Sequence, residues 1–317
     1  MIVMLFVLSI VTFVLFNAVP TDPAALTCGK SCSPAIIEAN RVRLGLDQPL
    51  YIQYLEWIKG IFVGRTYGSG SQTFNCDTPC LGYSFRNGEE VTDMIVRAVP
   101  VTFYLAIGAF TLWMLVGITS GIYAAKKRGQ WQDRTIMGIT LVGYSLPVFF
   151  VGLLLLIFVV VRWNLLPYPD YYSPTKDPLA FFQTMLLPWV ALAILYAAYY
   201  TRLTRTQMLE TLGEDYIRTA RAKGLPEKIV VRKHAFRAGL TPIVTSAGLD
   251  LAGLLGGAVI TEYIFSLPGM GRLAIGAVVE YDLPTITAAT MVAAVFVIIA
   301  NLVVDLLYMA IDPRVRL

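Results

Sequence analysis

VTFYLAIGAFTLWMLVGITSGIYAA, from Val101 to Ala125, runs for 25 residues without a formal charge and stops at Lys126, Lys127 and Arg128. An α-helix needs about 20 apolar residues to cross the hydrocarbon core of a bilayer, so this stretch sets the class of the chain. Working outward, the same test finds runs at Met1 to Val19, Thr135 to Val161, Thr184 to Tyr200, Ile243 to Ile264 and Ile286 to Ile311. The expectation is an all-α integral membrane protein with about six spans, which puts both termini on one side. The fourth run is the least regular, because Pro188 lies inside it and its polar flank begins at Thr201 and Arg202.

Composition agrees with this class. The 317 residues are 56% hydrophobic and 15% charged, with a mean hydropathy of +0.65, too few polar side chains to coat a soluble globule of this size. A net charge of +4 is too small to suggest a nucleic-acid partner. What matters is which loops hold the cations. Lys126, Lys127, Arg128 and Arg134 follow the second run, and Arg202, Arg205, Arg218, Arg221, Lys223, Lys228, Arg232, Lys233 and Arg237 follow the fourth. Both loops are expected to be cytoplasmic, as is the tail at 313–317 with Arg314 and Arg316. The segment 20–98 balances its cations with Asp22, Glu38, Asp47, Glu56, Asp77, Glu89, Glu90 and Asp93 and is expected outside. Met1 to Val19 has no basic flank and no A-x-A-like site before Pro20, so it reads as a first span, 1–19, rather than a cleaved signal.

Short structure is expected in the outer segment. Ser33 can cap and Pro34 open a helix stopping near Gly45, and Pro49 opens a second one to Val63. In the second, Tyr51, Tyr54, Leu55, Ile58 and Phe62 fall on one face, suited to the membrane, to a partner, or to the chain's own spans. All four cysteines lie here, in two C-x-x-x-C pairs, Cys28 with Cys32 and Cys76 with Cys80. On an oxidising side these read as disulfides, with three possible connectivities.

Catalytic signatures are lacking. There is no G-x-x-x-x-G-K-[ST], H-E-x-x-H or G-x-S-x-G, and the one histidine, His234, sits in the basic loop, where packing or surface exposure is its expected role. Nothing supplies His partners for a cysteine metal site, so no metal is expected. Ionisable residues inside the apolar runs are the other candidates, because a charge in lipid is costly and tends to face a partner or a watery path. These are Asp250, Glu262 and Asp305. Asp250 is expected to face inward, as pore lining or as an inter-subunit hydrogen-bonding group, whereas Glu262 and Asp305 lie nearer span ends. Tyr144 to Pro147 is a second candidate for the pathway, with packing against neighbouring spans as its equal alternative.

The loop after the fourth run reads ETLGEDYIRTARAKGLPEKIVVRKHAFRAGLTPIVT from Glu210 to Thr245. Asp215 to Lys223 is rich in helix formers, Asp215 is spaced to meet Arg218 and Thr219, and Gly224 and Pro226 stop the run. A helical connector exposed to the cytoplasm is expected, one that lipid headgroups alone could hold.

At DYIRTARAKG, Asp215 to Gly224, the sequence resembles the permease subunits of type I ABC importers, whose cytoplasmic loop bears the EAA motif that docks on an ATPase. Ala220 and Gly224 match that motif, Arg218 and Thr219 replace its Glu and first Ala, and Arg237 stands where many importers have Pro. These departures resemble the dipeptide, oligopeptide and nickel branch. NAVPTDPA, LGLDQPLYIQYLEWIKGIFVG, LGYSFRNGEEV, GAVITEYIFSLPGMGRL and NLVVDLLYMAIDPRVRL extend the resemblance over most of the chain, leaving out the cysteine stretches 27–33 and 69–79.

The resemblance implies a transmembrane domain over 99–312 with a coupling loop near 202–241, in which Asp215, Tyr216, Arg218, Thr219, Ala220, Arg221, Lys223 and Gly224 meet the ATPase. It implies a second homologous permease, two ATPase subunits that hold ATP and Mg, an external substrate-binding protein, and a cell inner membrane. The chain itself would bind no cofactor and catalyse nothing. Di- or oligopeptides are the expected substrate, with nickel as the alternative within the branch. An ion-driven secondary transporter, for which Pro147, Gly253, Gly256 and Gly257 supply breaks but the two halves supply no repeat, and a membrane scaffold without transport are the alternatives outside it.

Overall fold

The computed structural model describes residues 2–17, 33–44, 47–67 and 73–311. In chain order, α1 (Ile2–Asn17), α2 (Pro34–Leu44) and α3 (Leu50–Val63) precede two small hairpins, β1 (Arg65–Tyr67) with β2 (Phe74–Cys76) and β3 (Tyr83–Ser84) with β4 (Glu89–Glu90). Then come α4 (Val91–Lys126), α5 (Trp131–Ser145), α6 (Val148–Leu155, continuing as a π-helix through Leu156–Arg162), α7 (Pro178–Leu212) and α8 (Asp215–Ala222). A connector built from Glu227–Ile229, a π-helix at Val230–Ala235 and Phe236–Ala238 leads to α9 (Leu240–Leu255), α10 (Val259–Ile264), α11 (Met270–Glu280) and α12 (Leu283–Ile311).

Within the described residues the expected spans fall on helical segments, but breaks divide two of them. Among the described residues three helices are long and apolar enough to cross a membrane, α4, α7 and α12, and up to five spans result if each of two bent helix pairs counts as one. The first expected span extends into residues outside those described, and its apolar helix within them, Val3–Val14, is shorter than a full crossing. The third, Thr135 to Val161, is broken: α5 and the helix that follows it meet at 98°. Pro147 is the cause, since a proline drives the residue before it out of the helical region and Leu146 is extended at φ −87°, ψ 127°. The fifth expected span, Ile243 to Ile264, is divided between α9 and α10 at Gly256 to Ala258. By contrast Pro188 does not break α7, which runs unbroken for 35 residues from a built start: Pro178 is at its first turn and the Asp177 carboxylate accepts a hydrogen bond from the Ala180 N–H at 3.0 Å.

The chain divides into two compact units, 1–102 with 268–298, and 103–267 with 299–317. In the first, α3 packs on α1: the Ser9 and Tyr54 hydroxyls are 2.7 Å apart, and Phe13 meets the rings of Tyr54 and Trp57 at 5.4 and 5.9 Å. The pairing β1–β2 brings Arg65 opposite Cys76. Cys76 is bonded to Cys80, beside a cluster of Tyr67, Tyr83 and Phe85. The other expected pair, Cys28 and Cys32, lies outside the described residues. Val91, Ile95 and Ala98 at the start of α4 pack with Met270 of α11 and Ala288 and Ala289 of α12.

In the second unit α4 and α7 approach closely at Gly117 and Gly121. A Cβ added at Gly117 would stand 2.6 Å from Tyr200 Cβ, and one at Gly121 2.6 Å from Thr204 Cβ and 2.7 Å from the Thr201 carbonyl oxygen. This small-x-x-x-small spacing lets two membrane helices touch backbone to backbone, and the Ser120 and Thr201 hydroxyls share a 2.7 Å hydrogen bond at the same crossing.

Candidate functional site

Two places in the second unit bear on function: the face of α8 and a polar cavity among apolar helices.

α8 opens at Glu214, whose backbone is extended, with Asp215 in its first turn and Arg221 in its last, each placed to suit the helix dipole. The Arg218 guanidinium reaches the Asp215 carboxylate at 3.1 Å, and the Thr219 hydroxyl donates to the Asp215 carbonyl at 3.0 Å, the two contacts expected from spacing. The helix stops at Lys223 because Gly224 turns to φ +74°, a conformation that costs glycine little. Arg221 then reaches past the turn to Glu227, with Nη2 at 2.7 Å and Nε at 3.1 Å.

Burial divides the motif into two faces. Ile217 and Ala220 are inward, in a cluster with Ala125, Met208, Val230, Val231 and Ala235. Asp215, Tyr216, Arg218, Thr219, Arg221, Lys223 and Gly224 are exposed. Ala220, expected among the residues that meet the ATPase, is buried in this cluster, where its small size serves the chain's own packing. Gly224 keeps open space, since a Cβ there would meet nothing within 4 Å. Partial desolvation of its ring against the chain, with the Glu214 carboxylate adding to it, raises the exposed Tyr216 phenol above its ordinary range. His234 is half-buried in the connector.

The second place is an open cavity of about 500 Å³ lined by Tyr144, Ser145, Leu146 and Pro147 at the α5–α6 break, Leu195, Tyr196 and Tyr199 of α7, and Asp250 of α9. The three residues singled out for the pathway, Tyr144, Pro147 and Asp250, therefore line one cavity. Tyr200, fully buried, donates its hydroxyl to Asp250 Oδ2 at 2.6 Å. Trp113 of α4 stacks on Tyr196 at 4.5 Å and so holds one wall. Arg202 lies over the Tyr144 ring at 5.9 Å from its centroid. Sequence reasoning missed Tyr196, Tyr199 and Tyr200; their i, i+3, i+4 spacing opposite a lone acidic residue was the available signal. Glu262 is fully buried in α10 and Asp305 is exposed on α12. Among the described residues no group of three or more His, Cys, Asp or Glu is arranged to hold a metal ion.

Residues 117–317 match the family described as binding-protein-dependent transport system inner membrane component, and residues 1–106 match the N-terminal domain of the same kind of membrane component. The chain belongs to that family. It is thus a multi-pass permease subunit of an ABC importer, a transport component and not the ATPase. Among members of the family, the dipeptide transport system permease protein DppB of Escherichia coli K12 is 36% identical over 98% of this chain and 94% of its own. A Brucella abortus protein, named provisionally as a peptide transport system permease, is 37% identical over the same shares. A chain in an inward-facing structure of the MetNI methionine ABC transporter superposes with a TM-score of 0.57 at 18% identity, covering 70% of this chain and 97% of that one. That likeness supports the same type I importer permease fold.

Proposed function

We propose that this chain forms half of the translocation pathway for di- or oligopeptides, pairing with a second homologous permease above two ATPase subunits and receiving substrate from an external binding protein. The observation that carries the peptide reading is the near-full-length identity to permeases named for peptide and dipeptide transport. ATP and Mg are held by the ATPases. The basic loops and both termini face the cytoplasm, by the excess of Lys and Arg beside α8 and after the second run.

In this reading the exposed face of α8 is the coupling surface. Arg218, Arg221 and Lys223 supply positive charge to the ATPase, Tyr216 an amphipathic ring, and Gly224 a place where a partner can approach the backbone. The buried face, through Ile217 and Ala220, is keyed to Met208 on α7 and to the connector leading into α9. A push on α8 is thereby passed to two of the helices that line the cavity, α7 and α9, as alternating access requires. ATP binding closes the ATPases and opens the pathway outward; hydrolysis and release return it inward.

The test is affinity purification of the chain from detergent-solubilised membranes. A second permease and ATPase subunits should copurify, and ATP hydrolysis should rise on adding a peptide-loaded binding protein. Recovery of the chain with no nucleotide-binding partner would overturn the reading.

A further inference from the structure

Asp250 is an acidic side chain in the middle of an apolar helix, and its surroundings are one-sided. The Tyr200 hydroxyl satisfies Oδ2 at 2.6 Å, and among the described residues no Lys, Arg or His forms an ion pair with the carboxylate. A carboxylate at membrane depth is costly unless it meets a cation or a watery path. Here it faces a cavity of about 500 Å³, within the roughly 300–1,000 Å³ of small-ligand sites. Tyr144, Tyr196 and Tyr199 line that cavity, with Trp113 covering one face of the Tyr196 ring, and electron-rich faces attract cations. Tyr144 already lies under Arg202, which leaves Tyr196 and Tyr199 as the aromatic residues beside the open side.

We infer that Asp250 accepts the α-ammonium group of the transported peptide, with Tyr196 and Tyr199 walling its cationic end. The inference rests on the peptide reading above. Tyr200, held in place by full burial, fixes the carboxylate in its rotamer and leaves Oδ1 for the ligand. The arrangement reads the amine common to all peptides and ignores side chains, which suits a pathway placed after a selective binding protein.

The test uses the whole complex in proteoliposomes with its binding protein, comparing uptake of a labelled dipeptide and its N-acetylated analogue. The binding protein's affinity for each is measured separately, so that its own selection is divided out. The native complex should move the free-amine peptide about tenfold better, the scale of one charge-assisted hydrogen bond. Asp250→Asn should remove that preference by slowing the free peptide alone, and Asp250→Glu should retain it. Equal handling of both peptides by the native complex, or a preference that survives Asp250→Asn, overturns the assignment while leaving peptide transport standing. If the native complex moves neither peptide, the peptide reading fails and this assignment with it. Should Asp250→Asn not assemble with its partners, Tyr196→Leu decides: loss of the free-amine preference supports the site, and an unchanged preference overturns it.

Discussion

Arg205 grips Asp133 with two hydrogen bonds, Nε to Oδ1 at 2.6 Å and Nη2 to Oδ2 at 2.8 Å, and the Gly129 N–H donates to the same carboxylate at 3.0 Å. Asp133 is 5% exposed and belongs to the first turn of α5, while Arg205 is on α7. The pair ties the turn after α4 to the helix that leads into α8. Planar, two-point contact of this kind has a defined geometry that a lysine could not reproduce.

Breaking this pair on one side should be expensive. Arg205→Ala leaves a buried carboxylate with only one backbone donor, and such losses cost about 3–5 kcal/mol when fully buried. Arg205 is 24% exposed, so solvent reduces the expected cost to about 1–3 kcal/mol. Replacing both residues by alanine should cost less than the two single losses together, because no charge is then stranded. Thermal unfolding of the four members of the double-mutant cycle in one detergent checks this; strictly additive losses would mean that the two residues act separately.

The α4–α7 crossing gives a second expectation. Gly121→Leu must displace the Thr204 side chain and the Thr201 carbonyl, both under 3.0 Å from an added Cβ. Overpacking of this kind costs about 1–3 kcal/mol or more. Gly138, inside α5, has nothing within 4 Å of an added Cβ, so Gly138→Ala should be neutral or stabilise by up to about 1 kcal/mol through helix propensity. The two melting temperatures, compared with the native chain, should move in opposite directions or differ by several degrees.

How much of this was legible beforehand depends on how local the cause was. Asp215 to Lys223 was expected helical and α8 spans Asp215–Ala222; the helix from Pro49 to Val63 is α3, Leu50–Val63. Both are bounded by prolines and glycines whose effects reach one or two residues. The break at Pro147 was visible as a proline, yet a 98° bend depends on what packs on each side, which hydropathy does not encode. The cavity was legible in halves: Asp250, Tyr144 and Pro147 stand out as a charge or a break in apolar runs. Their convergence, and the bond from Tyr200 to a residue 50 positions away, exist only in the folded chain. Ala220 illustrates the reverse case, since a motif gives a residue's type but not the face it occupies.

The disulfide framework can be checked chemically. Cys76 and Cys80 are bonded to each other, so cross-pairing of either with Cys28 or Cys32 is excluded. Peptide mapping of unreduced protein should find Cys76 and Cys80 joined within one peptide and resistant to alkylation until reduction. Because the closed loop is short, Cys76→Ser with Cys80→Ser should lower stability by no more than about 2–3 kcal/mol, and the hairpin's aromatic cluster should keep much of its packing.

Charge reversal on α8 separates folding from coupling. Arg218 is 74% exposed on its side chain and its contact to Asp215 is between neighbours on one helix, worth at most about 0.5 kcal/mol. Arg218→Glu should therefore leave the melting temperature of the isolated permease unchanged within error. Lys223→Glu, at the exposed helix end, should behave alike. If this face meets the ATPase, each reversal inverts a complementary contact and should lower the association rate, with the deficit growing as salt is reduced. Gly224→Val makes a different point: at φ +74° a β-branched residue is strained, so the turn itself shifts and Arg221 should lose its grip on Glu227. The expected pattern is weakened ATPase copurification for the two reversals with native folding, and weakened copurification together with a lower melting temperature for Gly224→Val. Normal assembly and substrate-stimulated hydrolysis in the Arg218→Glu, Lys223→Glu double variant would move the coupling surface off α8.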